Sequence, residues 1–103
     1  MILRAAESMS AAIAEFCRRN GVRRLALFGS ALRGEDDATS DVDLLAEFPE
    51  GQTPSLLDLG GMVMELRAMF GRDVDLKTPG FLSPRFRDRI IRESRTLYAA
   101  EAQ

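Results

Sequence analysis

Histidine is absent from the 103-residue sequence, and cysteine occurs only once, at Cys17. Without histidine the chain cannot build a Ser-His-Asp or Cys-His nucleophilic centre, and it cannot build a zinc site of the usual Cys/His kind. A single cysteine also excludes an internal disulfide. Carboxylates, acting with or without a metal ion, are therefore the groups left to supply acid–base or electrostatic catalysis.

Long apolar runs are missing as well, and no segment approaches the length of a membrane span. The N-terminus lacks a basic region followed by a long apolar stretch and a cleavage site, so we expect a cytoplasmic protein that does not associate with a membrane. Hydrophobic residues make up 46% and charged residues 29% of the chain, as in ordinary globular proteins. The net charge of −2 argues against strong direct binding to nucleic acid.

The length allows one hydrophobic core, so we expect a single domain over residues 1–103. Apolar periodicity and turn residues predict the order of its elements. These are helix 3–19, strand 22–28, strand 42–48, helix 54–70, strand 73–77 and a last helix that begins at 83–84. This order predicts one α/β (α+β) domain around a small sheet.

Several local features refine this prediction. Cys17 lies on the apolar stripe of the first helix, which indicates a core residue rather than a reactive one. Asn20-Gly21 is a typical helix C-cap, and Gly71 ends the longer helix. Gly60-Gly61 lies inside that helix, where each glycine costs roughly 1 kcal/mol relative to alanine, so we expect close packing against a neighbour.

The C-terminal part of the chain carries its own signals. Ser83 and Pro84 are typical of an N-cap and a first helical residue, with Phe86 and Ile90 on the buried side of the helix. Residues 96–98 are expected to form a tail.

A Gly-Ser pair and an Asp-x-Asp pair are separated by ten residues, as Gly29-Ser30 and Asp41-Val42-Asp43. The apolar run before Gly29 predicts a strand that ends there, and a helical turn could begin at Ser30. Backbone N–H groups at a helix start bind anions. In a strand, both aspartates project from one face, which suits Mg²⁺. The pattern therefore predicts a phosphate site beside a divalent metal site.

A third acidic residue, Asp75, lies between apolar Val74 and Leu76 in the third predicted strand. Because Gly29 ends the first strand and Asp41 begins the second, antiparallel pairing would bring the two motifs together. If the third strand joins the same sheet, Asp75 adds a carboxylate to that place. Such crowding of negative charge is unfavourable without a cation, and two divalent ions about 3.5–4 Å apart would relieve it.

Together these motifs resemble the minimal nucleotidyltransferases of the DNA polymerase β superfamily, and among them the MNT-type antitoxins that are paired with HEPN-domain toxins. The resemblance covers nearly the whole chain and rests on residues 28–34, 40–45, 74–76 and 82–90. It implies a polymerase-β-like fold with a small mixed β-sheet flanked by helices, ATP as substrate and Mg²⁺ as cofactor. It also implies that AMP is transferred to a tyrosine hydroxyl of the HEPN toxin, in a toxin–antitoxin pair of a type VII-like kind.

The resemblance also implies roles for individual residues. Asp41 and Asp43 would bind the Mg²⁺ ions, and Asp75 would hold the ion nearer the attacking hydroxyl and favour its deprotonation. Gly29 permits close backbone approach to the triphosphate, while Ser30 offers an N–H and a hydroxyl group. The implied catalytic and metal-binding residues are Asp41, Asp43 and Asp75, and the implied nucleotide-binding residues are Gly29, Ser30 and Arg33.

Two other functions fit the same sequence. The chain could be a non-catalytic antitoxin that neutralises its partner by occlusion, with acids that are structural or bind a nucleotide passively. It could also transfer a nucleotide to RNA or to a small molecule such as an aminoglycoside, although so short a chain has no evident extra substrate domain.

Arginines recur on one face of the last predicted helix, at Arg85, Arg89 and Arg92. A solvated face is the simpler interpretation. The alternative is that this basic strip contacts an acidic partner, the triphosphate or RNA held by a toxin.

Overall fold

The computed structural model describes residues 2–29 and 41–100, which form a four-stranded mixed sheet with helices. The elements in chain order are α1 (Ile2–Ser8), α2 (Ser10–Asn20), β1 (Arg24–Phe28), β2 (Val42–Glu47), α3 (Leu56–Phe70), β3 (Val74–Lys77), a 3₁₀ turn (Pro79–Phe81), α4 (Arg87–Glu93) and β4 (Arg95–Ala99). No helix in this described part of the chain is long and apolar enough to cross a membrane.

The strands lie in the order β3-β2-β1-β4. β1 pairs antiparallel with both β2 and β4, while β2 pairs parallel with β3. The predicted mixed sheet and the antiparallel pairing of the first two strands are therefore confirmed, and the third predicted strand does join the sheet.

Alternation along the central strands divides the sheet into two faces. The larger core cluster lies on one face and combines strand residues such as Leu27 with helix residues such as Phe16. On the opposite face Leu45 packs with Ala26 and Leu82, and Ile90 of α4 lies against them. Since side chains alternate along a strand, this second face also carries Asp43, two residues before Leu45.

The predicted first helix is broken in two at Met9, which separates α1 from α2. Met9 has φ −101° and ψ 17°, outside the helical range. The hydroxyl of Ser8 donates to the Ala5 carbonyl at 2.9 Å, and such back-bonding by serine competes with the helix and bends it. The predicted C-cap is confirmed, because Gly21 has φ +70° and its N–H donates to the Cys17 carbonyl.

Helix α3 begins and ends with capping residues. The Ser55 side chain accepts from the Asp58 N–H at 3.1 Å, and Gly71 closes the helix at φ +70°. The expected close packing at Gly60 and Gly61 is wrong, because both are exposed and a Cβ at either would meet nothing within 4 Å. The two glycines therefore cost helix stability with no packing contact among the described residues to offset it.

The C-terminal region differs most from prediction. Helix α4 begins at Arg87, not at Ser83, although the Ser83 carbonyl accepts the N–H groups of Phe86 and Arg87 at 3.0 and 2.9 Å. Phe86 is 49% exposed, so its predicted burial is wrong, whereas Ile90 does pack on the sheet as predicted.

The expected tail is also wrong, since residues 96–98 lie in the edge strand β4. Leu97 and Tyr98 are partly buried against the larger core, so pairing with β1 is accompanied by apolar burial. Strand β4 is therefore stabilised more by pairing with β1 than by the β-propensity of its own residues.

Candidate active site

Gly29 lies directly after β1, at a point where the chain passes the carboxylate of Asp43. Its φ is +82°, a conformation that residues with a side chain rarely adopt. A Cβ placed on Gly29 would overlap the Asp43 Oδ2 atom and would lie 3.1 Å from Cγ and 3.2 Å from Cβ of that residue. Glycine at this position is therefore required by both the backbone conformation and the neighbouring acid.

Asp43 occupies the second residue of β2 and is held between two strands. On one side it pairs in antiparallel register with Phe28, and on the other in parallel register with Asp75 of β3. Directly paired residues project to the same face of a sheet, where their side chains are neighbours. The sheet thus brings together two of the three predicted acids and places Gly29 beside them.

Asp41 lies one residue before β2 and is exposed. The strand start beside it is fixed, since the Val42 N–H donates to the Asp73 carbonyl at 2.9 Å. Within residues 2–29 and 41–100, however, no three His, Cys, Asp or Glu side chains are grouped closely enough to hold a metal ion. In this structure Asp43 and Asp75 are register partners, but Asp41 does not form a group of three carboxylates with them as expected.

The side chain of Asp75 faces a lysine that the sequence motifs did not assign to the site. Lys77 Nζ lies 3.4 Å from Asp75 Oδ1, and the two side chains are 41% and 43% exposed. Strand alternation offered a signal for this residue, because Lys77 follows Asp75 by two positions and so shares its face.

Two predicted nucleotide-binding residues, Ser30 and Arg33, lie outside the described residues. Of the predicted phosphate-binding turn, the structure describes Gly29. The turn begins at the same end of the sheet as the paired acids, because Phe28, which precedes Gly29, is the direct partner of Asp43.

The donor set at this place fits a hard divalent cation. Carboxylate oxygens are the ligands that Mg²⁺ prefers, and it commonly binds through one or two of them together with substrate phosphates. Asp43 and Asp75 supply such a pair on adjacent strands, and Gly29 leaves the backbone beside them without a side chain.

Cys17 is far less suited to chemistry than these acids. It is fully buried in the larger core, and burial raises the pKa of its thiol from 9.0 to about 12. The thiol stays protonated at neutral pH and cannot serve as a nucleophile. The prediction that Cys17 is a core residue is confirmed.

The arginines near α4 are divided between structural and solvated roles. Arg87 donates to the carbonyl groups of Pro79 and Leu82 at 2.8 and 3.1 Å, which ties the helix to the 3₁₀ turn. Arg89 pairs with Glu93 at 3.2 Å. The predicted strip of Arg85, Arg89 and Arg92 is exposed, as a solvated face would be.

Comparison with known proteins is consistent with this geometry. A model of the nucleotidyltransferase domain family matches residues 9–98. The chain is 43% identical over 76 residues to MJ0435 of Methanocaldococcus jannaschii, named provisionally as a protein adenylyltransferase, with 74% of this chain and 80% of that protein covered. It is 39% identical over 79 residues to the protein adenylyltransferase MntA of Thermococcus cleftensis, with 77% of this chain and 78% of that protein covered.

Solved structures show the same fold. One described provisionally as a minimal nucleotidyltransferase superposes with a TM-score of 0.75 at 37% identity, and the match covers 91% of this chain and 94% of that one. A toxin–antitoxin structure with AMP-PNP gives a TM-score of 0.73 at 20% identity, and the match covers 89% of this chain and 74% of that one. The structure of the tri-AMPylated Shewanella oneidensis HEPN toxin in complex with MNT antitoxin gives a TM-score of 0.67 at 18% identity. That match covers 92% of this chain and 73% of the other. The last two likenesses concern the fold alone.

Proposed function

The chain belongs to the nucleotidyltransferase domain family, and from that membership we propose that it transfers AMP from ATP to a hydroxyl group of a partner protein. The observation that carries the proposal is the direct pairing of Asp43 with Asp75, with Gly29 set against Asp43. Two relatives at 43% and 39% identity are named for protein adenylyl transfer, which supports a protein as the acceptor.

The acids would hold Mg²⁺ together with the triphosphate. Asp43 and Asp75 are the two carboxylates in register, and Asp41 lies two residues before Asp43 in the chain. When bound, Mg²⁺ would neutralise phosphate charge and favour departure of pyrophosphate. The missing side chain at Gly29 makes room for the Asp43 carboxylate, and Gly29, Ser30 and Arg33 remain the predicted phosphate ligands.

The reaction is a displacement at the α-phosphorus of ATP. The acceptor oxygen forms a bond to that phosphorus, the bond to the oxygen that bridges to the β-phosphorus breaks, and pyrophosphate leaves with the electron pair. The acceptor hydroxyl must lose its proton. Asp75, whose side chain is 43% exposed, would be within reach of the hydroxyl of a docked protein and would favour that loss.

The partner in this proposal is a HEPN-type toxin, and the acceptor is a tyrosine hydroxyl. The likeness of fold to an MNT antitoxin bound to an AMPylated HEPN toxin supports this choice, as does the similarity to MntA. Modification of the toxin would neutralise it, so the chain would act as the antitoxin of the pair.

The test is transfer of label from ATP labelled at the α-phosphate. The protein is incubated with Mg²⁺ and a candidate HEPN-type toxin from a neighbouring gene, and the modified toxin residue is identified by mass spectrometry. Label should appear on a toxin tyrosine and should disappear with the double variant Asp41→Asn, Asp43→Asn. Asp88→Asn, which removes one exposed carboxylate from the first turn of α4, is the matched control and should retain labelling. Persistent labelling by the double variant would overturn the assignment.

The same double variant separates catalysis from occlusion. If it no longer labels the toxin and no longer neutralises it in cells, neutralisation depends on the chemistry. If it neutralises as well as the unmodified protein, the chain acts by binding alone.

A further inference from the structure

Lys77 is the last residue of β3, the edge strand next to β2. Its register partner is Leu45, which is fully buried, whereas the Lys77 side chain is 41% exposed. A lysine in such a position can lay its aliphatic stem along apolar surface while its ammonium group stays at the solvent boundary. Here the ammonium group lies beside Asp75, one of the two paired acids.

The contact of Lys77 is made with an acid of the candidate site. Its Nζ lies 3.4 Å from Oδ1 of Asp75, which is the direct cross-strand neighbour of Asp43. Ion pairs between side chains this exposed contribute little to folding stability. The pair matters more for the local charge, because a cation beside Asp75 reduces the repulsion between two neighbouring carboxylates.

We propose that Lys77 is a built-in counter-ion of the acid pair formed by Asp43 and Asp75. The Lys77 ammonium group pairs with the Asp75 carboxylate in the metal-free protein, and it is displaced when a divalent cation binds. This inference rests on the proposed function, since it concerns the metal ion that the transfer requires. An ammonium group and Mg²⁺ repel each other, and the flexible lysine stem allows the ammonium group to move away. Lys77 therefore lowers the divalent-cation affinity of the two acids and makes metal binding competitive with an internal ion pair.

The test measures metal binding without nucleotide and without activity. Mn²⁺ is titrated into the whole protein, and the free ion is followed by electron paramagnetic resonance. Removing the charge with Lys77→Met should tighten Mn²⁺ binding by about 3- to 10-fold, the size expected for a unit charge several ångströms from a divalent ion at a solvated site. Lys77→Gln should behave in the same way and serves if the methionine variant folds poorly. Lys77→Arg keeps the charge and should stay near the unmodified protein.

Two controls show whether the effect is local. Arg89→Met removes an exposed cation that pairs with Glu93 on α4, so it makes the same change of net charge away from the acids and should leave Mn²⁺ affinity unchanged. When Lys77→Met is added to Asp75→Asn, the tightening should be smaller, because the ammonium group no longer competes with the metal ion for the Asp75 carboxylate. Equal affinity of Lys77→Met and the unmodified protein, weaker binding by Lys77→Met, or the same tightening from Arg89→Met would each overturn the inference. If none of these proteins binds Mn²⁺ without nucleotide, the inference fails, whereas the metal requirement of the proposed function is decided separately by the labelling assay with and without Mg²⁺.

Discussion

Gly29 and Asp43 are in such close contact that a Cβ atom on Gly29 would overlap the Asp43 carboxylate. The glycine also has φ +82°. Its backbone conformation and the space around it both exclude a side chain, so one residue of the motif makes room for another. This relationship links the predicted phosphate-binding turn to the predicted metal-binding acid.

We therefore expect Gly29→Ala to destabilise the protein by about 2–4 kcal/mol, the sum of left-handed backbone strain and displacement of Asp43. Gly51→Ala is the matched control, because Gly51 has φ +77° but a Cβ placed on it would meet nothing within 4 Å. The Gly51→Ala variant should lose only the contribution of backbone strain, about 1 kcal/mol in the free energy of unfolding. Urea unfolding measures both. Equal losses for the two variants would contradict the contact with Asp43.

Gly60→Ala and Gly61→Ala should stabilise α3. Alanine is favoured over glycine inside a helix by about 0.5–1 kcal/mol, and a Cβ at either position would meet nothing within 4 Å. The melting temperature should rise for each variant. Gly71→Ala is the opposite control, since Gly71 caps α3 at φ +70° and alanine there should lower stability. A lower melting temperature for Gly60→Ala would show that the helix is packed differently.

Cys17 predicts a loss of stability in alkaline solution. Its folded-state pKa is raised by burial from 9.0 to about 12, so the folded state holds the thiol proton more tightly than the unfolded state. The stabilisation is complete below pH 9 and is lost as the pH rises from 9 towards 12, at up to about 1.4 kcal/mol per pH unit. Denaturant titrations at about pH 8 to 11, on either side of the unfolded-state pKa, should show a shallower decline for Cys17→Ala than for the unmodified protein. Parallel curves would contradict this role of the thiol.

Arg24 should hold β4 to the sheet. Its side chain is 19% exposed and donates to Glu47 at 2.6 Å, to Ser94 at 2.8 Å and to Thr96 at 2.9 Å. Arg24→Met removes all three contacts and should cost about 1–3 kcal/mol in the free energy of unfolding. Arg23→Met is the matched control, because Arg23 is 55% exposed and reaches only Glu47 among these partners, at 3.1 Å.

Amide hydrogen exchange locates the effect of these two variants. Faster exchange confined to residues 95–99 in Arg24→Met would place the loss at β4, as expected. If Arg23→Met were as destabilising as Arg24→Met, the side-chain network would not be what holds the strand.

Local signals in the sequence predict much of the fold correctly. Gly21 and Gly71 end helices as expected, since a left-handed C-cap is a local conformational requirement that glycine meets. Strands β1, β2 and β3 follow from apolar runs and alternation, with bounds that differ from the predicted ones by one or two residues. The break at Met9 does not follow, because the flanking serines compete with a helix only weakly and apolar periodicity continues across them.

The features that the sequence does not predict depend on partners that are distant in the chain. Residues 96–98 form a strand because β1 pairs with them and the core accepts Leu97 and Tyr98. Phe86 and Ile90 have the same apolar character in the sequence, yet Ile90 reaches the small cluster around Leu45 while Phe86 is half exposed. Side-chain burial of this kind is set by packing between elements, which periodicity alone does not specify.

Composition and motif spacing are enough to predict the chemistry of this chain. The absence of histidine leaves the acids as its reactive groups, and Gly29-Ser30, Asp41, Asp43 and Asp75 are spaced as in a nucleotidyltransferase. Which of these groups lie side by side depends on how the strands pair. Parallel pairing of β2 with β3 places Asp43 beside Asp75, and Lys77 reaches that acid from the same strand face. Strand register is established only when distant segments pair and bury a common face, so these contacts could not be fixed by local sequence.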